Sequence, residues 1–358
     1  MRVHIVGAGL IGTSIGLALA QKGEKVSFED MDQRNLEVAR DLIGGALVQS
    51  ANEGGPIDLI LLATPVGAVA ESAKAHFGYN PQATFIDIAG LKSEVIQEIE
   101  QLPALSERFC GTHPMAGREI SGPTGARADL FQGATWIITP TKNTDAEIVQ
   151  TVGNFVSSLG ARVVQVGAQE HDEAIAAVSH MPQIMSSLLA TTLSDVSSEQ
   201  LALAGQGLRD LTRLADSNPV LWSQLISLNS ASVLHGLQKV QNEISELVAS
   251  ITSNNRADIE KFFARGNKEK SRIPGKHGGK SRDYAYLPIV IDDKPGQLAA
   301  IFNECATVGV NVEDLFIEHS PGQETGLITL ALSNDGAEIL RSHLTQQNWR
   351  VHAIRAQR

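Results

Sequence analysis

Through residues 1–167 the chain alternates short apolar runs with segments whose apolar side chains recur every three or four positions. Strands are expected at residues 3–6, 26–28, 59–63, 84–88, 136–139 and 163–166. The clearest intervening helices are 11–21 and 147–159, the second stopping at Gly160, as helices commonly stop at glycine. Such alternation predicts a parallel sheet with crossover helices. From residue 168 to 265 strand signals vanish and helical periodicity runs through 174–193, 200–214, 220–250 and 256–265, which predicts an all-helical second domain. Residues 265–282 then break the period, with Gly266, Pro274, Gly275, Gly278 and Gly279 set among seven Lys and Arg. This segment reads as a solvated basic tether. The tail, 283–358, offers a strand (286–291), a helix (295–307), two strands (311–318, 326–331), a helix (337–347) and a strand (349–354). That order is the ferredoxin-like split unit. The expected division is therefore 1–167, 168–265, a linker at 266–282, and 283–358.

The chain has 358 residues, 42% of them hydrophobic, which is enough for several separate cores. Its 29 Lys and Arg against 40 Asp and Glu leave a formal net charge of −11. No global basic field exists to hold nucleic acid or an anionic membrane, so an anionic substrate must be met by local cations. Cys110 and Cys305 stand far apart, with no CxxC pair and no Cys/His cluster at metal-ligand spacing, so two reduced thiols and no metal are expected. Met1-Arg2 and the apolar stretch to Ala18-Leu19-Ala20 superficially imitate a secretory signal. Gly7, Gly9, Gly12 and Gly16 suit a strand, turn and helix better than an apolar signal helix, and no later stretch approaches the ~20 apolar residues of a membrane span. A cytoplasmic location is expected.

Gly7-x-Gly9-x-x-Gly12 follows the first apolar run and opens a helix at Leu10 and Ile11. In this context a glycine pattern becomes a dinucleotide fingerprint. The first glycine makes the tight turn, the second admits the pyrophosphate, and the third lets helix and strand pack. The helix N-terminus supplies N–H groups and partial positive charge. At the end of the second strand, Glu29-Asp30 offers a carboxylate for the adenosine ribose hydroxyls, Asp30 being preferred from the alternation along Val26, Phe28 and Asp30. A carboxylate there repels a 2′-phosphate, which favours NAD over NADP, although Arg34 nearby softens the preference. Thr64 and Pro65, after the 59–63 run, complete the expected cofactor contacts.

Further along come Asp87-Ile-Ala-Gly90-Leu-Lys92, then Gly111-Thr-His113-Pro-Met-Ala-Gly117 with Ser121-Gly122. Ser179-His180-Met-Pro182 and Gly207-Leu-Arg209-Asp210-Leu-Thr-Arg213-Leu-Ala215 follow. In type and order these segments resemble the prephenate/arogenate dehydrogenase family over the whole chain. The resemblance implies an α/β protein with an N-terminal Rossmann doubly wound parallel sheet and an all-α domain that makes a homodimer. It also implies a C-terminal ferredoxin-like ACT domain, suggested by Asp293-Lys-Pro295-Gly296-Gln-Leu298 and Gly309-Val-Asn311-Val-Glu313.

The implied reaction is oxidative decarboxylation of prephenate to 4-hydroxyphenylpyruvate, with NAD+ taking the hydride; arogenate is the alternative substrate. A histidine suits the ring-hydroxyl proton, and the resemblance gives that role to His113, in a loop. Arginine suits carboxylates because its planar fork meets two oxygens at once. Arg209 and Arg213 lie four apart on one predicted helix; the resemblance makes Arg213 the ring-carboxylate anchor, with Asp210 orienting it. Ser179, His180 and Gln183 complete the expected substrate contacts, and Trp222 either closes the pocket or packs in the dimer core. Two positions depart from the family pattern: Gly90 stands where a serine is usual, and Gln183 where a second histidine is usual. Tyrosine is the expected effector, at Pro295, Gly296 and Asn311. The competing readings are a β-hydroxyacid dehydrogenase, disfavoured because a catalytic lysine would be expected in its helical domain, and a non-catalytic NAD-binding amino-acid sensor.

Overall fold

Short runs in which every side chain is buried form the middle of the main sheet, as a sheet covered on both faces requires: Arg2–Val6 (β1), Leu59–Leu62 (β4) and Thr84–Asp87 (β5). In this computed structural model the described residues are 1–44, 47–48, 55–117, 120–273, 284–319 and 324–356. Five further strands complete the sheet: Lys25–Glu29 (β2), Leu47–Val48 (β3), Phe109–Pro114 (β6), Thr135–Pro140 (β7) and Arg162–Gln165 (β8). The order is β3-β2-β1-β4-β5-β6-β7-β8. Two apolar clusters cover its faces, one around Ile5, Ile15, Phe28 and Trp136, the other around Ile60, Leu62, Phe85 and Phe109. Cys110 and Cys305 are both buried free thiols.

The sheet is not parallel throughout, contrary to the expectation from the alternating pattern. β7 runs antiparallel to β6, and β8 follows β7. Among the described residues between β6 and β7 there is a 3₁₀ turn at Pro123–Gly125 and no crossover α-helix, and a return without a crossover helix produces an antiparallel pair. β6 was not anticipated either. Its Gly111, Thr112, His113 and Pro114 carry little strand signal, yet β5 pairs with Phe109 and Cys110, and β7 with every residue from Cys110 to Pro114. His113 therefore sits on a strand, not in a loop.

Beyond β8 the chain is helical: Ala168–Ile175, a π-helical turn at Ala176–His180, then Met181–Thr191, Gln206–Thr212, a 3₁₀ turn at Arg213–Ala215, Pro219–Leu228 and Ser230–Thr252. Pro182 explains the widened turn, since it has no N–H for the Val178 carbonyl. The helix expected over 200–214 is broken. A short helix, Ser198–Leu201, is followed by Gly205, which starts a new one that ends at Thr212. Arg209 and Arg213 thus do not share one α-helical face, because Arg213 opens the tighter 3₁₀ turn that leads to Asn218-Pro219.

By contact density the chain divides into two compact units, Met1–Ile259 and Glu260–Arg358. Within the second, Ala285–Asp292 (β9), Asp314–His319 (β10), Thr325–Leu332 (β11) and Arg350–Val351 (β12) form an antiparallel sheet ordered β10-β11-β9-β12. With helices Gln297–Thr307 and Asn334–Gln346 this is the expected strand-helix-strand-strand-helix-strand unit. Residues 274–282 of the expected linker lie outside the described residues. Among the described residues no helix is long and apolar enough to cross a membrane.

The glycines of the first loop are needed to different degrees. Gly7 has φ +110°, and a Cβ there would lie 2.3 Å from the Ala63 carbonyl oxygen; at Gly12 a Cβ would lie 2.1 Å from the Gly7 carbonyl oxygen, while at Gly9 it would meet nothing within 4 Å. Gly12→Val therefore forces backbone apart, and the urea-denaturation midpoint should report a loss of about 1–3 kcal/mol. A valine variant as stable as the parent would show that the helix is not held this closely.

Candidate active site

Asp172 connects the sheet to the helices. Its Oδ1 accepts from the Lys92 backbone N–H (2.9 Å) and its Oδ2 from that of Ser93 (2.8 Å). Its Oδ1 also faces His171 Nδ1 at 2.7 Å, and His171 Nε2 lies 2.9 Å from His113 Nδ1. The tautomers follow from the carboxylate. Asp172 can only accept, so His171 Nδ1 carries the proton and its Nε2 accepts from His113 Nδ1–H. That leaves His113 Nε2 with a free lone pair. A Cβ at Gly90 would lie 3.8 Å from this nitrogen, so the lone pair faces the position where a serine would reach it.

Burial, then the charge of Lys92, push the His113 pKa down to about 3, so its imidazole is neutral at physiological pH. Burial alone would raise the Asp172 carboxyl, but hydrogen bonds from His171 and Ser93 outweigh it and hold the group below the usual carboxylate range. Under the site lies a second buried pair: Lys92 Nζ donates to Asp87 Oδ2 and to the Thr112 carbonyl (2.8 Å), and Asp87 Oδ1 accepts from Thr112 N–H at 3.1 Å. Asp87 and Lys92 are wholly buried, and removing one partner of such a pair typically costs about 3–5 kcal/mol. The pair fixes Thr112, and hence the direction in which the next residue, His113, leaves the sheet. Burial lowers the Lys92 ammonium as well.

His180 is buried, its Nδ1 lies 3.4 Å from Asn229 Nδ2, and its ring meets Trp222 edge-on at 5.9 Å. An amide nitrogen can only donate, so Nδ1 is the acceptor and Nε2 carries the proton. Asn229 also donates to the Asp172 carbonyl at 2.8 Å, which links His180 to the His113 chain. Ser179 is half-buried on the π-helical turn beside it. Gln183 is buried, and its Nε2 donates to the Leu214 carbonyl (2.7 Å) and to Ser217 Oγ (2.8 Å). Its amide thus holds the turn that carries Arg213. Arg213 is exposed at the start of that turn, and Asp210 Oδ1 accepts from Gln206 Nε2 at 2.8 Å. Arg209 donates to the Ala204 carbonyl at 2.8 Å.

The residues at the strand ends of β1, β2 and β4 fit a dinucleotide. The helix Leu10–Ala20 begins at Gly9 with Leu10 and Ile11 in its first turn and no side-chain cap, and the space beside Gly9 is open. Asp30 Oδ2 accepts from Ala8 N–H (2.6 Å) and Oδ1 from Asp32 N–H (2.7 Å), placing the carboxylate beside the glycine loop. Arg34 is engaged by Asp32 at 2.8 and 3.1 Å. Thr64 Oγ1, just before Pro65, is buried with no hydrogen-bond partner, which a cofactor hydroxyl, phosphate or amide would satisfy. A cavity of about 420 Å³ lies between Val66-Gly67 and the helix residues Leu221, Leu225 and Leu228. Pro295, Gly296 and Asn311 belong to the other compact unit. There Gly296 (φ +92°) opens the helix Gln297–Thr307, and Asn311 Nδ2 donates to Glu313 Oε1 at 3.2 Å.

Sequence reasoning missed His171, Asp172 and Asn229. The signal present was Glu170-His171-Asp172 two helical turns before Ser179-His180. Nothing local tells it from an ordinary solvated helix start.

Residues 15–165 match the family model described as prephenate dehydrogenase, nucleotide-binding domain, and residues 167–265 match prephenate dehydrogenase, dimerization domain. The chain is 30% identical over 356 residues to a probable prephenate dehydrogenase of Streptomyces niveus, covering 96% of this chain and 98% of that one. It is 28% identical over 336 residues to the prephenate dehydrogenase of Lactococcus lactis subsp. cremoris, covering 90% and 92%. Among solved structures it resembles prephenate dehydrogenase from A. aeolicus in complex with hydroxyphenyl propionate and NAD+, with TM-score 0.69 and 27% identity over 76% of this chain and 98% of that one. It also resembles Synechocystis arogenate dehydrogenase, with TM-score 0.67 and 25% identity over 76% and 99%.

The lowered His113 pKa has a consequence for stability. Unfolded, the imidazole takes a proton near its ordinary value of about 6.5, whereas in the folded chain it resists to about 3. As the pH falls below about 6.5 the unfolded state gains a proton that the folded state does not, so stability declines. Urea midpoints should fall from about pH 7 to about pH 4, and less steeply in His113→Asn; parallel slopes would mean that His113 is not held neutral.

Proposed function

Because the chain belongs to the prephenate dehydrogenase family and is an NAD-dependent oxidoreductase, we propose that it converts prephenate to 4-hydroxyphenylpyruvate, His113 taking the ring-hydroxyl proton. The observation that carries this reading is the Asp172–His171–His113 chain, which leaves a neutral Nε2 lone pair facing Gly90. Bound NAD+ supplies the hydride acceptor. As hydride leaves the ring carbon, His113 Nε2 accepts the hydroxyl proton. The ring carboxylate departs as carbon dioxide, and the electrons of its C–C bond make the ring aromatic. The imidazolium so formed is stabilised through Nδ1–H by His171 and, behind it, the Asp172 carboxylate.

In this reading Arg213 anchors the ring carboxylate, with Asp210 near it, and Gln183 acts by holding the 3₁₀ turn on which Arg213 stands. Ser179 and the Nε2–H of His180 face the side chain of the substrate. Gly7, Gly9, Leu10, Ile11 and Gly12 hold the pyrophosphate, Asp30 the ribose, and Thr64 and Pro65 the nicotinamide side; Arg34 is neutralised by Asp32, in keeping with NAD over NADP. Arogenate remains the second substrate reading, since one similar structure is an arogenate dehydrogenase.

The proposed division is 1–167, 168–265, 266–282 and 283–358, with a homodimer built on the second part. Along Ser230–Thr252 only Val233 is buried, while Leu234, Ile244, Val248 and Ile251 are exposed. Apolar exposure on that scale favours a partner helix. The last part is proposed to be an ACT-type domain that binds tyrosine at Pro295, Gly296 and Asn311, where the start of Gln297–Thr307 has no side-chain cap to compete with a carboxylate.

Initial-rate NADH formation with prephenate and with arogenate tests the substrate assignment. His113→Asn should lower kcat by ~10² to 10⁴ while NAD binding stays nearly intact; near-normal turnover would remove His113 from the mechanism. Tyrosine should inhibit the full chain in a manner not competitive with prephenate, and Asn311→Ala should weaken that inhibition. A purely competitive pattern, unaltered by the substitution, would place tyrosine in the active site instead.

A further inference from the structure

On the face of the sheet packed by the helix Val69–Phe77, three side chains from distant parts of the sequence converge. His4 comes from β1, Glu29 from the end of β2, and His76 from the last turn of that helix. One donor atom of each lies within 4.8 Å of the other two. Glu29 Oε2 is 3.3 Å from His76 Nε2 and 3.7 Å from His4 Nε2, and the two rings stack with centroids 5.4 Å apart.

The hydrogen bonds on the far side of each ring say what these atoms present. His76 Nδ1 lies 3.0 Å from the Ser72 carbonyl. A carbonyl can only accept, so Nδ1 carries the proton and the Nε2 of the neutral ring turns a lone pair toward the Glu29 carboxylate, itself only an acceptor. His4 is 2% exposed, and its Nδ1 is occupied by Ser27 Oγ at 2.9 Å. Its Nε2 is buried with no hydrogen-bond partner at all. Ser27 Oγ can accept from His4 Nδ1–H, and in that tautomer two lone pairs and a carboxylate oxygen face one point with no donor among them. A proton on His76 would relieve only the contact with Glu29 and leave His4 Nε2 unsatisfied, whereas a cation at the common point would satisfy all three.

We propose that His4 Nε2, His76 Nε2 and Glu29 Oε2 form a binding site for a divalent transition-metal ion of the zinc class, with solvent as the fourth ligand. Two imidazoles and a carboxylate are a donor set that zinc accepts. Zinc bonds of about 2.0–2.1 Å to tetrahedral ligands place neighbouring donors about 3.3–3.4 Å apart, close to the 3.3 and 3.7 Å found here. Burial lowers the His4 pKa to about 4, so its ring is neutral and able to ligate near neutrality. The Ser72 carbonyl and Ser27 hydroxyl hold the two rings by their other nitrogens, as outer partners of metal-bound histidines do. Glu29 is the exposed member and leaves the site open to solvent. The ion would fasten together β1, which leads into the glycine loop, the end of β2, which leads to Asp30, and the helix that follows Thr64-Pro65. No spacing in the sequence could reveal such a site, because its ligands are 25 and 47 residues apart.

The test is calorimetric titration of Zn²⁺ alone into the tag-free full chain after chelation and dialysis, with Co²⁺ absorption as a second probe. One ion per chain should bind saturably, Co²⁺ should show the visible bands of tetrahedral coordination, and excess zinc should raise Tm by about 2–4 °C. His76→Gln, which keeps a polar side chain at this half-buried position, should weaken binding by about tenfold or more and abolish the gain in Tm. Absence of saturable binding would overturn the proposal, as would unchanged affinity in both His76→Gln and Glu29→Gln.

Discussion

The carboxylate of Asp172 is the interaction on which the site depends. Its two oxygens accept two backbone N–H groups from the segment after β5 and one ring N–H from His171. Each of these bonds to a charged acceptor is worth about 1.5–3 kcal/mol. Together they lock the first helix beyond β8 against the sheet and set the protonation pattern of two histidines in series. The His113 imidazole that faces Gly90 is thus oriented, through His171, by a carboxylate it does not touch. The buried Asp87–Lys92 pair does the corresponding work from beneath by gripping Thr112 on β6. Polar groups this deep are costly unless each is satisfied, and here every one of the bonds counted has a named partner.

The cofactor end obeys a different constraint, that of space. Gly7 and Gly12 are required by close approach of backbone to backbone, whereas Gly9 borders open space that a pyrophosphate can fill. Asp30 serves this loop before it meets any ligand, since its carboxylate accepts from Ala8 N–H. One short segment therefore fixes both the turn geometry and the position of the carboxylate beside it.

Between these two ends the helical region supplies what a sheet cannot, side chains approaching from above. The π-helical turn before Pro182 displaces Ser179 and His180 from regular α-helical register, and such turns recur at functional sites. Gln183, where the family pattern has a histidine, spends its amide on the Leu214 carbonyl and Ser217. It has become a brace for the turn of Arg213 rather than a titrating group. Along Ser230–Thr252 the side chains of Leu234, Ile244, Val248 and Ile251 are exposed, within the stretch that matches a dimerization domain.

Periodicity by itself determined the strand-helix alternation of the first part, the helical middle and the strand-helix order of the tail, because these signals are local and repeat over many residues. The glycine fingerprint and the order of the His113, Ser179-His180 and Arg213 segments likewise determined the family, since they are short motifs with fixed spacing. Only the tertiary structure decided the rest. Strand β6 forms because neighbours pair with it, although Gly111, Thr112 and Pro114 give little strand preference of their own. The helix carrying Arg209 stops short of Arg213 because the chain must turn before Asn218-Pro219. His171 and Asp172 became part of the site, and His4, Glu29 and His76 a cluster, only when folding brought residues far apart in sequence to within about 3–4 Å. Hydrogen bonds and ligand geometry act over such distances, and no pattern along the chain records which distant residues will share them.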